Sequence, residues 1–189
     1  MMNLPKYFSD TKRPQLFDSL REDNLQNILS HSLLQEHDAS KLLVQQGDTP
    51  EGVYLVIEGT VKTFRLNEEG EEATIRMLEP GETCMEAVLF MGGPSPISVQ
   101  TLTKCKLLMI PEQIVRNQVL VDAQFAVNIL RIVTHHYKNA MHQIDAMNIK
   151  SPLQRVGYYF LSKHLEAGHD DLEFTLPFKK QIIANYLGM

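Results

Sequence analysis

Few side chains in this sequence are spaced to do chemistry. Glu82 and Glu86 lie four residues apart and could face one cleft, although beside Pro80-Gly81 such a pair reads as a solvated acidic turn. The two cysteines, Cys84 and Cys105, have no metal-ligand spacing, and an iron–sulfur cluster normally needs four thiolates. They leave thiol redox sensing open, against the commoner role of buried cysteines as inert packing. The seven histidines stand at 31, 37, 135, 136, 142, 164 and 169, so none falls between 38 and 134. Metal-dependent enzymes built on small β-barrels place a His-x-His pair and a carboxylate on strands, and the strand-like part of this chain lacks them. No nucleophile motif or phosphate-cradling glycine loop is present. No catalytic residue and no metal ligand is assigned, and a non-enzyme is expected. Near the end, Lys179, Lys180 and Gln181 open a short amphipathic segment that could touch nucleic-acid phosphates.

The elements that position these residues read in two styles. Between Gly47 and Glu86, glycines at 47, 59, 70 and 81 separate the apolar, β-branched or aromatic runs Val53–Ile57, Val61–Leu66 and Ala73–Leu78. Short strands punctuated by turn glycines suggest an all-β sandwich or barrel. Ile97–Leu102 and Lys106–Ile110 read as its last strands, and Met85–Phe90 as a short helical turn. Leu16–Leu34 has helical spacing, with Ser19 or Asp23 as a possible cap. From about Asp122 to Ile149 there is neither proline nor glycine. Two apolar heptad seams run side by side there. One is Ala126, Ile129, Val133, His136, Ala140, Gln143 and Met147; the other is Val127, Leu130, Thr134, Tyr137, Met141 and Ile144. Two stripes suggest two partners, the chain's own barrel and a helix from a second copy, the first seam being assigned to the dimer. A helix buried between two domains of one chain is the alternative. Ser151-Pro152 starts a new helix, Leu172–Leu176 alternates as a strand, and Lys179–Leu187 forms a last helix closed by Gly188. The 189 residues carry a net charge of −5, which gives no global nucleic-acid signal. Apolar runs are only a few residues long and no secretory leader is present, so a cytoplasmic chain with no membrane partner is expected.

Taken together, Gly47-Asp48, Tyr54–Lys62, Glu69-Gly70, Leu78–Glu82, Glu86 with Leu89-Phe90, Arg155, and the closing segment with Ala184, Leu187 and Gly188 resemble the CRP/FNR superfamily of bacterial transcription regulators. Phe178 departs from the pattern, where a capping serine or threonine is usual. The resemblance implies an α+β chain: a flexible lead-in over 1–15, an effector-sensing jelly-roll barrel with N-terminal helices over 16–110, a dimerisation helix over 111–150 and an incomplete winged helix-turn-helix over 151–189. It implies a homodimer that binds promoter DNA and RNA polymerase. Lys179, Lys180 and Gln181 would be the DNA-facing residues present. A helix-terminating glycine one residue before Met189 leads us to expect that more chain follows. The hinge at Met147–Ser151 would let an effector change the angle of the DNA-binding domains.

Leu78, Gly81, Glu86, Leu89 and Phe90 are assigned to the effector pocket. In the family's nucleotide cassette a glutamate receives the ribose and an arginine shortly after it pairs with the phosphate. Glu86 stands at the glutamate position, but Ser95 and Pro96 occupy the region of the arginine, and Met85 replaces the glycine before the glutamate. A buried phosphate without its cation is costly, so cyclic AMP is not expected. An iron–sulfur cluster is likewise not expected. The subgroup nearest in pattern is that of the dissimilatory nitrate respiration regulators, whose resemblance implies haem and nitric oxide as candidate effector chemistry, although the cofactor itself stays unknown. A stand-alone ligand-binding and dimerisation module is the alternative function.

Overall fold

Eight short strands build two antiparallel sheets, because apolar residues recur on both sides of the central strands and must be covered twice. The computed structural model describes residues 13–149, 151–167 and 179–189. The strands are β1 (Leu33–His37), β2 (Leu42–Val44), β3 (Gly52–Glu58), β4 (Val61–Leu66), β5 (Glu72–Leu78), β6 (Thr83–Cys84), β7 (Ser98–Thr101) and β8 (Cys105–Pro111). Their order is β1-β8-β3-β6 in one sheet and β2-β7-β4-β5 in the other, a jelly-roll pattern of mostly non-local neighbours. The helices are α1 (Glu22–Ser30), α2 (Glu86–Met91), α3 (Glu112–Val121), α4 (Ala123–Met147), α5 (Pro152–Ala167) and α6 (Lys180–Tyr186). The expected loop at Gly168–Asp171, the strand at Leu172–Leu176 and the lead-in before Arg13 lie outside the described residues.

The chain divides into two compact units. One runs through Arg65 and from Ile75 to Thr134; the other comprises Leu66–Thr74 and the chain from His135 onward. In the first, β3 and β8 form the keel. Their register pairs Val53 with Ile110, Tyr54 with Met109, Leu55 with Leu108 and Val56 with Leu107. Alternation sends Tyr54, Val56, Leu107 and Met109 between the sheets, where they meet Val61, Leu78 and Val99. It sends Val53, Leu55, Leu108 and Ile110 to the other side, onto Leu16, Phe17, Ile28, Phe125 and Ile129. Two-sided burial explains the unbroken apolar run in β3.

Three sequence expectations change here. Leu33 and Leu34 belong to strand β1 rather than to a helix, because β1 pairs with β8 from Leu33↔Met109 to His37↔Cys105. The barrel therefore carries one histidine, His37, on its edge strand. Neither Ser19 nor Asp23 caps α1; Arg21 stands at the cap without a side-chain bond, and Ser19 has φ 58°. The stretch 111–150 holds two helices. Asp122 breaks it with extended backbone, and its Oδ1 accepts the N–H groups of Gln124 and Phe125 at 2.9 and 3.2 Å, capping α4. Burial acts to raise the pKa of Asp122, but these bonds, with donation from Asn24 and Gln118, hold it below the usual carboxylate range.

In the second unit Ser151 Oγ accepts the Gln154 N–H at 3.4 Å, and Pro152 is the first residue of α5. After α6, Gly188 has φ 65°, and Met189 N–H reaches Ala184 O at 3.0 Å, a Schellman ending. Tyr159, Ile183 and Leu187 form a small core with Val156, Phe160 and Tyr186.

All four punctuating glycines, 47, 59, 70 and 81, have positive φ. Gly59 is the most constrained: at φ +85° a Cβ would lie 2.3 Å from Lys104 O and 2.8 Å from Cys105 Sγ. Gly59→Ala is expected to cost about 2 kcal/mol or more, from left-handed strain plus the clash. Urea unfolding measures it, and a loss near zero would contradict the placement of this turn.

Candidate functional site

The chemistry-bearing groups of the first unit gather where β6 runs into α2. Met85, at φ 80°, joins them in the left-handed conformation that the expected glycine would take freely. Its side chain is buried between the sheets, and that burial offsets a backbone cost of about 1–2 kcal/mol. The turn directs Glu86 inward. Glu86 is 1% exposed, and its Oε1 has no hydrogen-bond partner among the described residues. Burial raises its pKa, opposed by the Thr83 hydroxyl, its own backbone N–H and the charge of Arg76. Arg76, on β5, lies 3.8 Å from Glu82. Thr63 on β4 shares its strand face with Val61, and its buried Oγ1 also lacks a partner among the described residues. Buried polar atoms in native proteins are nearly always satisfied, so two orphans in one domain mark places where water or a ligand completes the bonding.

Two of the other effector ideas meet physical obstacles. Burial, with Glu86 as the next cause, holds the Cys84 thiol far above the ordinary range, so it carries little thiolate with which to react. Cys105 donates to Thr60 O at 3.2 Å or Thr103 O at 3.3 Å and is buried. The residues between the sheets also do not fit a haem. His37 sits on edge strand β1 and meets Gln35 Oε1 at 3.2 Å. The interior beside it is occupied by Cys105, Leu107 and Met109. Ser95 and Pro96, in place of a phosphate-binding arginine, form part of a closed loop: Ser95 N–H donates to Asp48 O at 2.7 Å, Ser95 O accepts Gly47 N–H at 2.8 Å, and Ser95 Oγ donates to Ile97 O at 2.7 Å.

The residues assigned to the effector pocket do not all converge. Leu78 lies between the sheets, and Gly81 makes the β5–β6 turn with its N–H on Val56 O at 2.9 Å. One helical turn separates the rest. Leu89 enters the helix-side core, on the other face of the sheet from Leu78. Phe90 is 41% exposed, with the Arg116 guanidinium 5.5 Å from its ring centre. Arg116 also donates to Leu89 O and to Glu112 Oε1, both at 2.6 Å, so it clasps α2 to α3. Sequence reasoning missed Arg116 and Arg76, because only the fold brings β5 and α3 to the cassette.

The residues of the seam assigned to the dimer differ in burial along the helix. In the first unit Ile129 is 6% exposed and lies in the helix-side core with Phe125 and Ile132, and Val133 packs against that core. In the second unit His136 is half-buried, Gln143 donates to Tyr186 O at 3.1 Å, and Ala140 and Met147 are exposed. Ala126 is half-buried. The neighbouring seam, Val127, Leu130, Thr134, Tyr137, Met141 and Ile144, is exposed along its whole length, Leu130 to 64% and Ile144 to 53%. Lys179, Lys180 and Gln181 are exposed at the start of α6.

The raised pKa of Glu86 has a definite sign. The folded state keeps the proton over a pH range in which the unfolded chain has released it, so stability falls as pH climbs from the unfolded value through the folded one. Glu86→Gln removes the ionisation. Its unfolding midpoint is expected to gain on the parent's as pH climbs above the ordinary carboxylate range. Thermal melts along that climb check this, and a constant difference would contradict it.

Residues 34–121 match the cyclic nucleotide-binding domain. The chain is 27% identical over 171 residues to the anaerobic regulatory protein of Pasteurella multocida, covering 88% of this chain and 61% of that relative. It therefore spans less than two thirds of that relative's length. Among solved structures, the catabolite activator protein of Thermus thermophilus superposes with a TM-score of 0.62 at 25% identity, over 92% of this chain and 80% of that one. The sensor domain of the regulator DNR from Pseudomonas aeruginosa, at 24% identity and a TM-score of 0.59 over 73% of this chain and 89% of that one, shares the fold. The double-sheet keel and the α2 cassette agree with these likenesses: residues 34–121 are similar to a cyclic nucleotide-binding domain, and the chain is similar to regulators that carry one.

Proposed function

We propose that this chain is the sensing and dimerising part of a CRP/FNR-type transcription regulator, a homodimer that acts on promoter DNA and through RNA polymerase rather than as an enzyme. The observation that carries this reading is the exposed heptad seam of α4. Val127, Leu130, Thr134, Tyr137, Met141 and Ile144 alternate at spacings of three and four, the pattern by which two parallel helices interlock. The face opposite it at Phe125, Ile129 and Ile132 is already occupied by the chain's own core. Ala140 and Met147 of the neighbouring seam border the contact and widen it. Lys179, Lys180 and Gln181 supply the phosphate-contacting edge of the DNA-binding part.

The effector is a small molecule other than cyclic AMP, taken up beside Glu86. The buried Oε1 of Glu86, without a partner among the described residues, offers a hydrogen bond. Arg76, engaged near Glu82, does not replace a bidentate phosphate cation. Haem-borne nitric oxide sensing, the effector chemistry implied by the resemblance, finds no suitable ligand set between the sheets. Arg116 would pass a shift of α2 to α3 and hence to α4.

Two measurements test the reading. Leu130→Asp and Ile144→Asp are expected to give the monomer mass by light scattering with the fold retained, whereas Ile129→Asp is expected to unfold the first unit, since it buries an unpaired charge. A dimer mass in both seam variants would refute the interface. Calorimetry with cyclic AMP is expected to show no saturable heat below about millimolar concentration, and micromolar affinity would overturn the effector assignment.

A further inference from the structure

The second unit contains a cavity of about 70 Å³ where the last turns of α4 meet α5 and α6. Its walls include three tyrosine rings, Tyr158, Tyr159 and Tyr186, the last two edge-to-face at 5.9 Å between centroids. Ala146 and Ser162, the smallest residues lining it, leave the space open between α4 and α5. The space exceeds what a single water needs, and Tyr159, buried in the small core with Ile183 and Leu187, is held from collapsing into it. Hydrogen-bonding groups are present in Gln143, Ser162 and the exposed His142, yet no described lining residue is Lys, Arg, Asp or Glu. Gln143 is held in place by its bond to Tyr186 O.

We propose that this cavity is a binding site for an uncharged aromatic molecule of one ring or two fused rings bearing one hydroxyl or N–H group. Tyrosine faces and edges favour an aromatic ring in offset or edge contact. A mostly apolar pocket with a few polar groups orients such a ring by its one polar substituent. An anion or cation would enter without an ionic partner and would be left desolvated. The ligand would touch α4, α5 and α6 together, so occupancy ties the end of the helix that opens at Lys179-Lys180 to the end of the long helix. The site stands on the second unit's own geometry and does not depend on DNA binding or on what fills the first unit.

Indole and phenol are the probes, with benzoate as the charged comparison, titrated into the full chain by two-dimensional methyl NMR. Saturable shifts at Ala146 and Met147, with intermolecular contacts from indole to both methyl groups, are expected. Benzoate is expected to bind at least tenfold more weakly. Ala146→Leu and Ser162→Leu, which fill the space from two different helices, are each expected to weaken indole at least tenfold. Should one of them fail to fold, the other and the wild-type contacts decide. No saturation up to the solubility of indole, no contact to Ala146 or Met147, equal affinity for benzoate, or unchanged affinity in a folded filling variant would each overturn the site.

Discussion

The fold depends on how one helix is turned. Phe125, Ile129 and Ile132, at spacings of four and three, enter the core on the outer face of β3 and β8. Asp122 sets where that helix begins, by ending α3 and capping α4. Asn128 fixes the rotation further: its side-chain amide donates to Leu16 O at 3.2 Å and to Asp18 O at 2.7 Å. With three apolar anchors and a buried amide committed on one side, helical geometry leaves the seam from Val127 to Thr134 facing outward. The same seam continues, exposed, through Tyr137, Met141 and Ile144. Apolar surface of that length and regularity on a helix is costly in water and calls for a partner.

The turn from β6 into α2 is governed by a different balance. A methionine held at positive φ and a buried carboxyl with one oxygen unpartnered among the described residues are both unfavourable locally. Packing between the sheets retains them, and such compromises collect where a protein binds something. Arg76 lessens the cost of Glu86 through its charge and lies beside Glu82, so the cassette is a buried charged cluster rather than a neutral core. Through Arg116, which holds Leu89 O and the Phe90 ring, this unsettled region is joined to α3, one residue from the cap of α4.

Much of the barrel was legible because glycine is used where the backbone turns left-handed. Gly47, Gly59, Gly70 and Gly81 sit at positive φ at the strand boundaries their spacing suggested. Strand β1 was hidden because Leu33 and Leu34 continue the helical spacing of α1, and their pairing with β8 spans over seventy residues of chain. The two α4 seams were visible, yet they lie one residue apart and are similarly apolar. Which of them faces inward is decided by Leu16, Phe17 and the outer face of β8, none of which is near in sequence. Likewise Leu89 and Phe90 differ from Glu86 by less than two turns of α2, and only the packed helix tells core from surface.

The rotation of α4 is tested most directly by oxidative cross-linking of single cysteines placed one at a time from position 134 to 144, in a background with Cys84 and Cys105 replaced by serine. Cross-linked dimer is expected to peak at 134, 137, 141 and 144, with little product between them. Peaks at 136, 140 and 143, the seam one residue over, or a flat profile at every position, would contradict the placement of the helix and the dimer built on it.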